Sequence, residues 1–241
     1  MNKLIKQIQN DISYQMELTS LGFELNSFED SFSIFLKPKN DIFNKIVFSL
    51  FPVEGRAFFS QLNYSMISPQ VNSVMSFLDS GFNLLEDTLI DREGFYESQK
   101  IRENINVLVL SQKEIIEDNI LVIGNLFKKY YSSHALPFFS NFKSLQDIND
   151  KILEKEEFSN YYKYIFGETG AKVLIIMKLC HSDKYQEYKN WSDNIVAKQL
   201  ADPMCQDYKD ILLNQQTIMD KVYTYLESGS YRDLLSKKDR N

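Results

Sequence analysis

Cysteine and histidine are scarce in this chain of 241 residues, at two each, and their scarcity excludes much site chemistry. Cys180 and Cys205 form no patterned pair, so a disulfide framework is not expected and reduced thiols are. His134 and His181 have no second histidine, cysteine or carboxylate at metal-ligand spacing, so no metal site is expected. Cys180 and His181 are adjacent, and neighbours on a helix point about 100° apart, a poor geometry for chelation. The eight glycines make neither G-x-G-x-x-G nor a P-loop, and no cofactor is implied. Gly167-Glu168-Thr169-Gly170, the tightest glycine pair, reads as a turn between helices. No G-x-S-x-G elbow occurs.

Long apolar runs are missing too. The longest, Val173 to Met177, falls far short of the roughly 20 residues that span a bilayer, so no membrane segment is expected. The start, MNKLIKQIQNDISYQ, lacks the apolar core and cleavage site of a secretory leader; a cytoplasmic protein is expected. Basic clusters are short, at Lys128-Lys129 and Lys237-Lys238-Arg240, whereas nucleic-acid binding needs a stripe.

What is plentiful is aromatic and acidic. Eighteen Phe and fourteen Tyr within 44% hydrophobic and 25% charged residues describe a folded chain with a sizeable core. Rich Ile, Asn, Lys, Tyr and Phe usage fits an AT-rich bacterial genome. The net charge of −6 is concentrated: ten acids and four bases lie between Asp79 and Asp118, and the rest of the chain balances. Such a field repels nucleic acid and attracts basic partners. Glu86, Asp87, Asp91, Glu93, Glu97, Glu114, Glu117 and Asp118 are therefore the candidate partner-binding residues. The plain alternative is a solvated acidic face. Adjacent acids such as Glu117-Asp118 or Glu156-Glu157 face apart and make no catalytic dyad.

The periodicities predict an α+β fold: an antiparallel N-terminal sheet with flanking helices, then an all-helical C-terminal part. Leu4, Ile5, Ile8, Ile12, Met16 and Leu21 recur at helical spacing before Gly22. Phe32–Pro38, Phe43–Phe51 and Arg56–Met66 alternate as strands, separated by turn residues, and the simplest topology is a meander. Ser68-Pro69 is an N-cap and N1 pair, and Gly81 closes the helix that follows. Phe82–Ile90 and Ile105–Leu110 are ambiguous, the second β-rich and short enough for a buried strand, and Asp91–Asn104 between them reads as irregular.

Ser111–Phe142 divides the chain. Ser111 and Glu114 have capping-box spacing, and Ile116, Ile120, Ile123, Phe127 and Tyr130 make an apolar stripe. Glu114, Glu117 and Asp118 sit at the positive end of the helix dipole, Lys128 and Lys129 at the negative end. Pro137 is expected to stop this helix at Leu136. Two parts follow, 1–110 with the sheet and 111–241 with the helices, which can pack as one continuous domain. In the second part Ser144 caps a helix, and Phe158–Phe166 carries an aromatic face suited to core or interface. Ala171–Cys180 is apolar nearly all round, and further helices start near Asp183 and Gln206.

SHALPFFSNFKSLQDIND (133–150) and VLIIMKLCHSDKYQEYKNW (173–191) resemble a family of bacterial proteins with an α+β N-terminal part and a helical C-terminal part. Some of that family occur beside toxins of bacterial competition systems as immunity proteins. The resemblance carries no catalytic residue. It is consistent with a non-catalytic protein-interaction module, in its sharpest form an immunity-type inhibitor; the charge pattern, not the resemblance, supplies the mechanism expected of one, occlusion of a basic partner through the acidic segment. Two other readings stand beside it: a hydrolytic enzyme with a site around His134 or His181, and a small-molecule or peptide sensor binding between sheet and long helix.

Overall fold

The computed structural model describes residues 2–29, 32–53, 56–106, 110–111 and 117–238. Its elements run α1 (Asn2–Gln15), β1 (Glu24–Glu29), β2 (Phe32–Lys39), β3 (Ile42–Val53), β4 (Arg56–Ile67), α2 (Pro69–Leu78), β5 (Leu89–Ile90), α3 (Arg92–Asn106), β6 (Leu110–Ser111) and α4 (Glu117–Tyr130). They continue with α5 (Leu136–Asn141), α6 (Leu145–Ile148), α7 (Thr169–Leu179), α8 (Tyr185–Ala201), α9 (Lys209–Glu227) and α10 (Tyr231–Lys238). The chain forms two compact units, Met1–Met66 with Asp91–Lys143, and Ile67–Ile90 with Ser144–Asn241. Each unit is thus assembled from two stretches, the chain passing between units after Met66, Ile90 and Lys143.

In the first unit the antiparallel sheet has the expected meander order β1-β2-β3-β4, and β6 pairs antiparallel with the start of β4. Lys39 pairs with Ile42 across the two-residue turn Asn40-Asp41. Asn40 takes φ 53° there, a left-handed conformation that asparagine tolerates well. This turn fixes the register, placing Phe35 opposite Ile46 and Ser33 opposite Phe48. Phe48 stacks between Phe35 and Phe59, with ring centroids 5.8 and 6.0 Å away, a ladder across three strands.

Ile8 and Ile12 of α1 and Ile123 and Phe127 of α4 are buried in this unit. The two helices pack closely at Gly124, where a Cβ would lie 2.7 Å from Gln15 Cβ and 3.0 Å from its carbonyl. That approach accounts for a glycine inside a helix, where it ordinarily costs about 1 kcal/mol relative to alanine.

Four sequence expectations need correction here. Ser111 does not cap a helix; it pairs with Arg56 in β6, and the helix is described only from Glu117. Pro137 does not stop the helix either. The chain passes from α4 through a π-helical turn, Tyr131–Ala135, into α5 with Pro137 near its start. The widened turn lets the Leu136 N–H reach Tyr131 O, five residues back, so the ring enters where a helix start accommodates it. Asp91–Asn104 is not irregular but supplies most of α3, and Ile105 and Asn106 end that helix, leaving Leu110 in β6. The first helix stops at Gln15, and a turn through Glu17 (φ 57°) and Gly22 (φ 83°) leads to β1.

The second unit is helical apart from β5, where Leu89 bridges antiparallel to Ile165. Ser68 caps α2 by accepting from the Val71 N–H, and Ser144 caps α6 by accepting from Asp147, both as expected. Phe158–Lys163 is a 3-10 helix. α7 is the centre of the unit, with Ala171 to Met177 all buried, Lys172 included.

Candidate protein-binding surface

The eight acids singled out by charge are divided between the units and mostly have local duties. Glu86 and Asp87 belong to the second unit and serve Lys172, whose side chain is 0% exposed. The Lys172 ammonium donates to Glu86 Oε1 at 2.7 Å, Asp87 O at 2.6 Å and Phe166 O at 2.8 Å. Its three protons are therefore all taken. Burial holds its pKa below the ordinary lysine value, with Glu86 opposing that shift. Gly167, at φ 74°, leaves room for the Glu86 carboxylate, which a Cβ there would overlap. The cluster is a staple joining the segment before β5 to α7.

Asp91, Glu93 and Glu97 fall in the first unit at the start of α3. Asp91 caps that helix, its Oδ1 accepting from the Glu93 N–H at 3.1 Å. Its other oxygen accepts a short hydrogen bond from the Tyr64 hydroxyl. Burial raises the Tyr64 pKa, and the Asp91 carboxylate raises it further. Glu97 pairs with Lys100 one turn on. Glu117 and Asp118 are the first two residues of α4, and Glu114 lies outside the described residues.

The inner side of α3 is pinned through its first two turns. Gly94 rests on Tyr64, where any Cβ would overlap the hydroxyl, and its carbonyl accepts from the Tyr130 hydroxyl at 2.8 Å. One turn further, the Ser98 hydroxyl lies 3.0 Å from Asn63 Oδ1. Tyr64 is itself held among Tyr130, Phe138 and Phe139, with centroids 5.3 to 5.7 Å away. Phe138 and Phe139 reach it because the π-helical turn carries the helix past Pro137.

The outer side of α3 presents the opposite picture. Phe95 is 46% exposed and Tyr96 60% exposed, their rings in edge contact at 6.2 Å. Arg92, Glu93, Lys100 and Glu103 are exposed on the same helix. An aromatic pair on a rigid helix, rimmed by charge, has the composition of a binding hot spot. Sequence reasoning found the acids here but not the aromatics. The missed signal was local: Asp91 two residues before Glu93 is an N-cap with an acidic first turn.

The histidines form no such constellation. His134 sits half-buried in the π-helical turn, its ring 5.6 Å from that of Tyr130. His181 is exposed at φ 55° just beyond α7. Among the described residues neither imidazole makes a side-chain hydrogen bond, and no group of three or more His, Cys, Asp or Glu side chains is placed to hold a metal. Cys180 and Cys205 are not joined in a disulfide. Among the described residues no helix is long and apolar enough to cross a membrane. No family model, curated protein or solved structure matches this chain.

Proposed function

We propose that this chain is a protein-binding module that engages a basic partner through the outer face of α3. The observation that carries this reading is the exposed Phe95–Tyr96 pair on a helix whose inner face is fixed by Tyr64, Tyr130 and Asn63. A mount of this kind lowers the entropic cost of docking, because the anchors are already ordered. On the helix itself Glu93 and Glu103 are balanced by Arg92 and Lys100, so the preference for a positively charged surface rests on the acidic Asp79–Asp118 segment and the chain's net charge of −6. An immunity-type inhibitor, as the resemblance in 133–150 and 173–191 implies, is the sharpest form of this reading; it acts by occlusion and needs no catalytic group.

Two variants separate the contributions. Phe95→Ala with Tyr96→Ala is expected to weaken the complex by about 2 kcal/mol or more, roughly 30-fold, mainly through faster dissociation. Glu93→Lys with Glu103→Lys is expected to slow association at low salt and to lose that effect at high salt. Unchanged affinity in the aromatic variant would overturn the assignment of this face.

A further inference from the structure

The second unit holds a cleft of about 360 Å³ that none of the foregoing uses. Its aromatic wall is Phe158 and Trp191, in edge contact at 5.6 Å. Behind them Tyr188, 3% exposed, stacks on Trp191 at 5.8 Å with an interplanar angle of 23°. The rings are thus backed by core and cannot fold inward.

The polar lining carries three carboxylates, Glu156, Glu157 and Glu187, and two ammonium groups, Lys155 and Lys184. These groups are not equally available. Lys184 Nζ is turned to the backbone, donating to Glu154 O at 2.6 Å. Glu156 is oriented by the Tyr164 hydroxyl, 3.2 Å from its Oε1. Glu157 and Glu187 are exposed and enter no ion pair among the described residues.

An aromatic wall with two uncommitted carboxylates at its edge, set against the single exposed ammonium of Lys155, suits a flat cation. A guanidinium stacks on indole through its face and donates in the plane to carboxylates, which an ammonium cannot do at once. We infer that this cleft receives an arginine side chain of a protein partner, its guanidinium on Trp191 and its N–H groups toward Glu157 and Glu187. The site belongs to the second unit and does not rest on the assignment of α3.

Trp191 is the chain's only tryptophan, so its fluorescence reports this cleft alone. The probe is arginine capped at both ends, titrated into the full chain beside equally capped citrulline and inorganic phosphate. The expected result is a saturable change in emission with capped arginine and none with the other two. Glu157→Gln with Glu187→Gln, both at exposed positions, should weaken that binding at least about tenfold. The Phe95→Ala, Tyr96→Ala variant should leave it unchanged, which separates this site from α3. No saturable response to capped arginine, an equal response to citrulline, or saturation by phosphate instead would overturn the inference. So would an affinity indifferent to loss of the two carboxylates.

Discussion

Gly94 lies flat against Tyr64, so close that a Cβ at this position would overlap the phenol oxygen and stand 2.5 Å from Cζ. The contact joins α3 to β4 and sets the height at which Phe95 and Tyr96 are displayed. Gly94→Ala should therefore lift the helix and destabilise the chain by about 1–3 kcal/mol, as overpacking does. Tyr64→Phe in that background should recover little, because the ring carbon remains in the way. Urea unfolding midpoints, with amide exchange along α3, would check both outcomes.

Lys172→Met tests the staple in the second unit. The substitution keeps the volume but leaves the carbonyls of Asp87 and Phe166 and the Glu86 carboxylate without their donor. A loss of about 2–4 kcal/mol is expected. Adding Glu86→Gln should restore part of it, since a neutral amide beside methionine costs less than a carboxylate. The measurement is chemical denaturation of the single and double variants as a cycle.

The alkaline limb of stability should be steep. Burial, first among the causes, raises the pKa of Tyr64, Tyr130, Tyr161, Tyr185 and Tyr188 above the ordinary 10.0. A phenol whose folded pKa exceeds its unfolded one stabilises the fold fully below pH 10 and loses that contribution as pH rises above it. Each such group removes about 1.4 kcal/mol per pH unit beyond that point. Lys172 acts in the other direction: its pKa is lowered on folding, so stability rises with pH between its folded value and 10.5. Melting temperatures should hold up to about pH 10 and then fall steeply. Tyrosinate absorbance should show these phenols ionising only as the chain unfolds.

The π-helical turn and Pro137 should prove interdependent. Removing the exposed Ser132 would convert Tyr131–Ala135 to regular α-helix and set Pro137 in a helix interior, at a cost of about 3 kcal/mol. The same deletion combined with Pro137→Ala should be tolerated, because the α-helical flanks keep their faces. Thermal unfolding of the deletion with and without the proline replacement distinguishes the two.

Much of the architecture could be read from residue order alone. Period-two runs at Phe32–Pro38 and Phe43–Phe51, the Ser68-Pro69 cap and the all-round apolar Ala171–Cys180 helix owe their form to local chemistry. The places where reading failed are those where tertiary contacts override it. Ser111 has a good capping box but pairs with Arg56 instead. Pro137 is a helix breaker only while the preceding turn is α-helical. Asp91–Asn104 has no clean apolar stripe because its buried side is built from Asp91, Gly94 and Ser98, a polar seam satisfied by Tyr64, Tyr130 and Asn63. A hydrophobic-period argument cannot see such a helix. The charge count likewise located the segment but not the duties of its members, since Glu86 and Asp91 are spent on Lys172 and Tyr64.

The central claim concerns the outer face of α3, and photo-crosslinking tests it most directly. Benzoylphenylalanine would replace Tyr96, and in a separate chain Tyr14, which is exposed in the same unit but lies on α1. Irradiated in the cells that make the protein, the Tyr96 variant should yield one discrete adduct to a basic protein that is absent from the Tyr14 control; repeated in lysate, the yield of that adduct should fall when salt is raised before irradiation. No adduct from position 96, or the same adducts from both positions, would contradict the account.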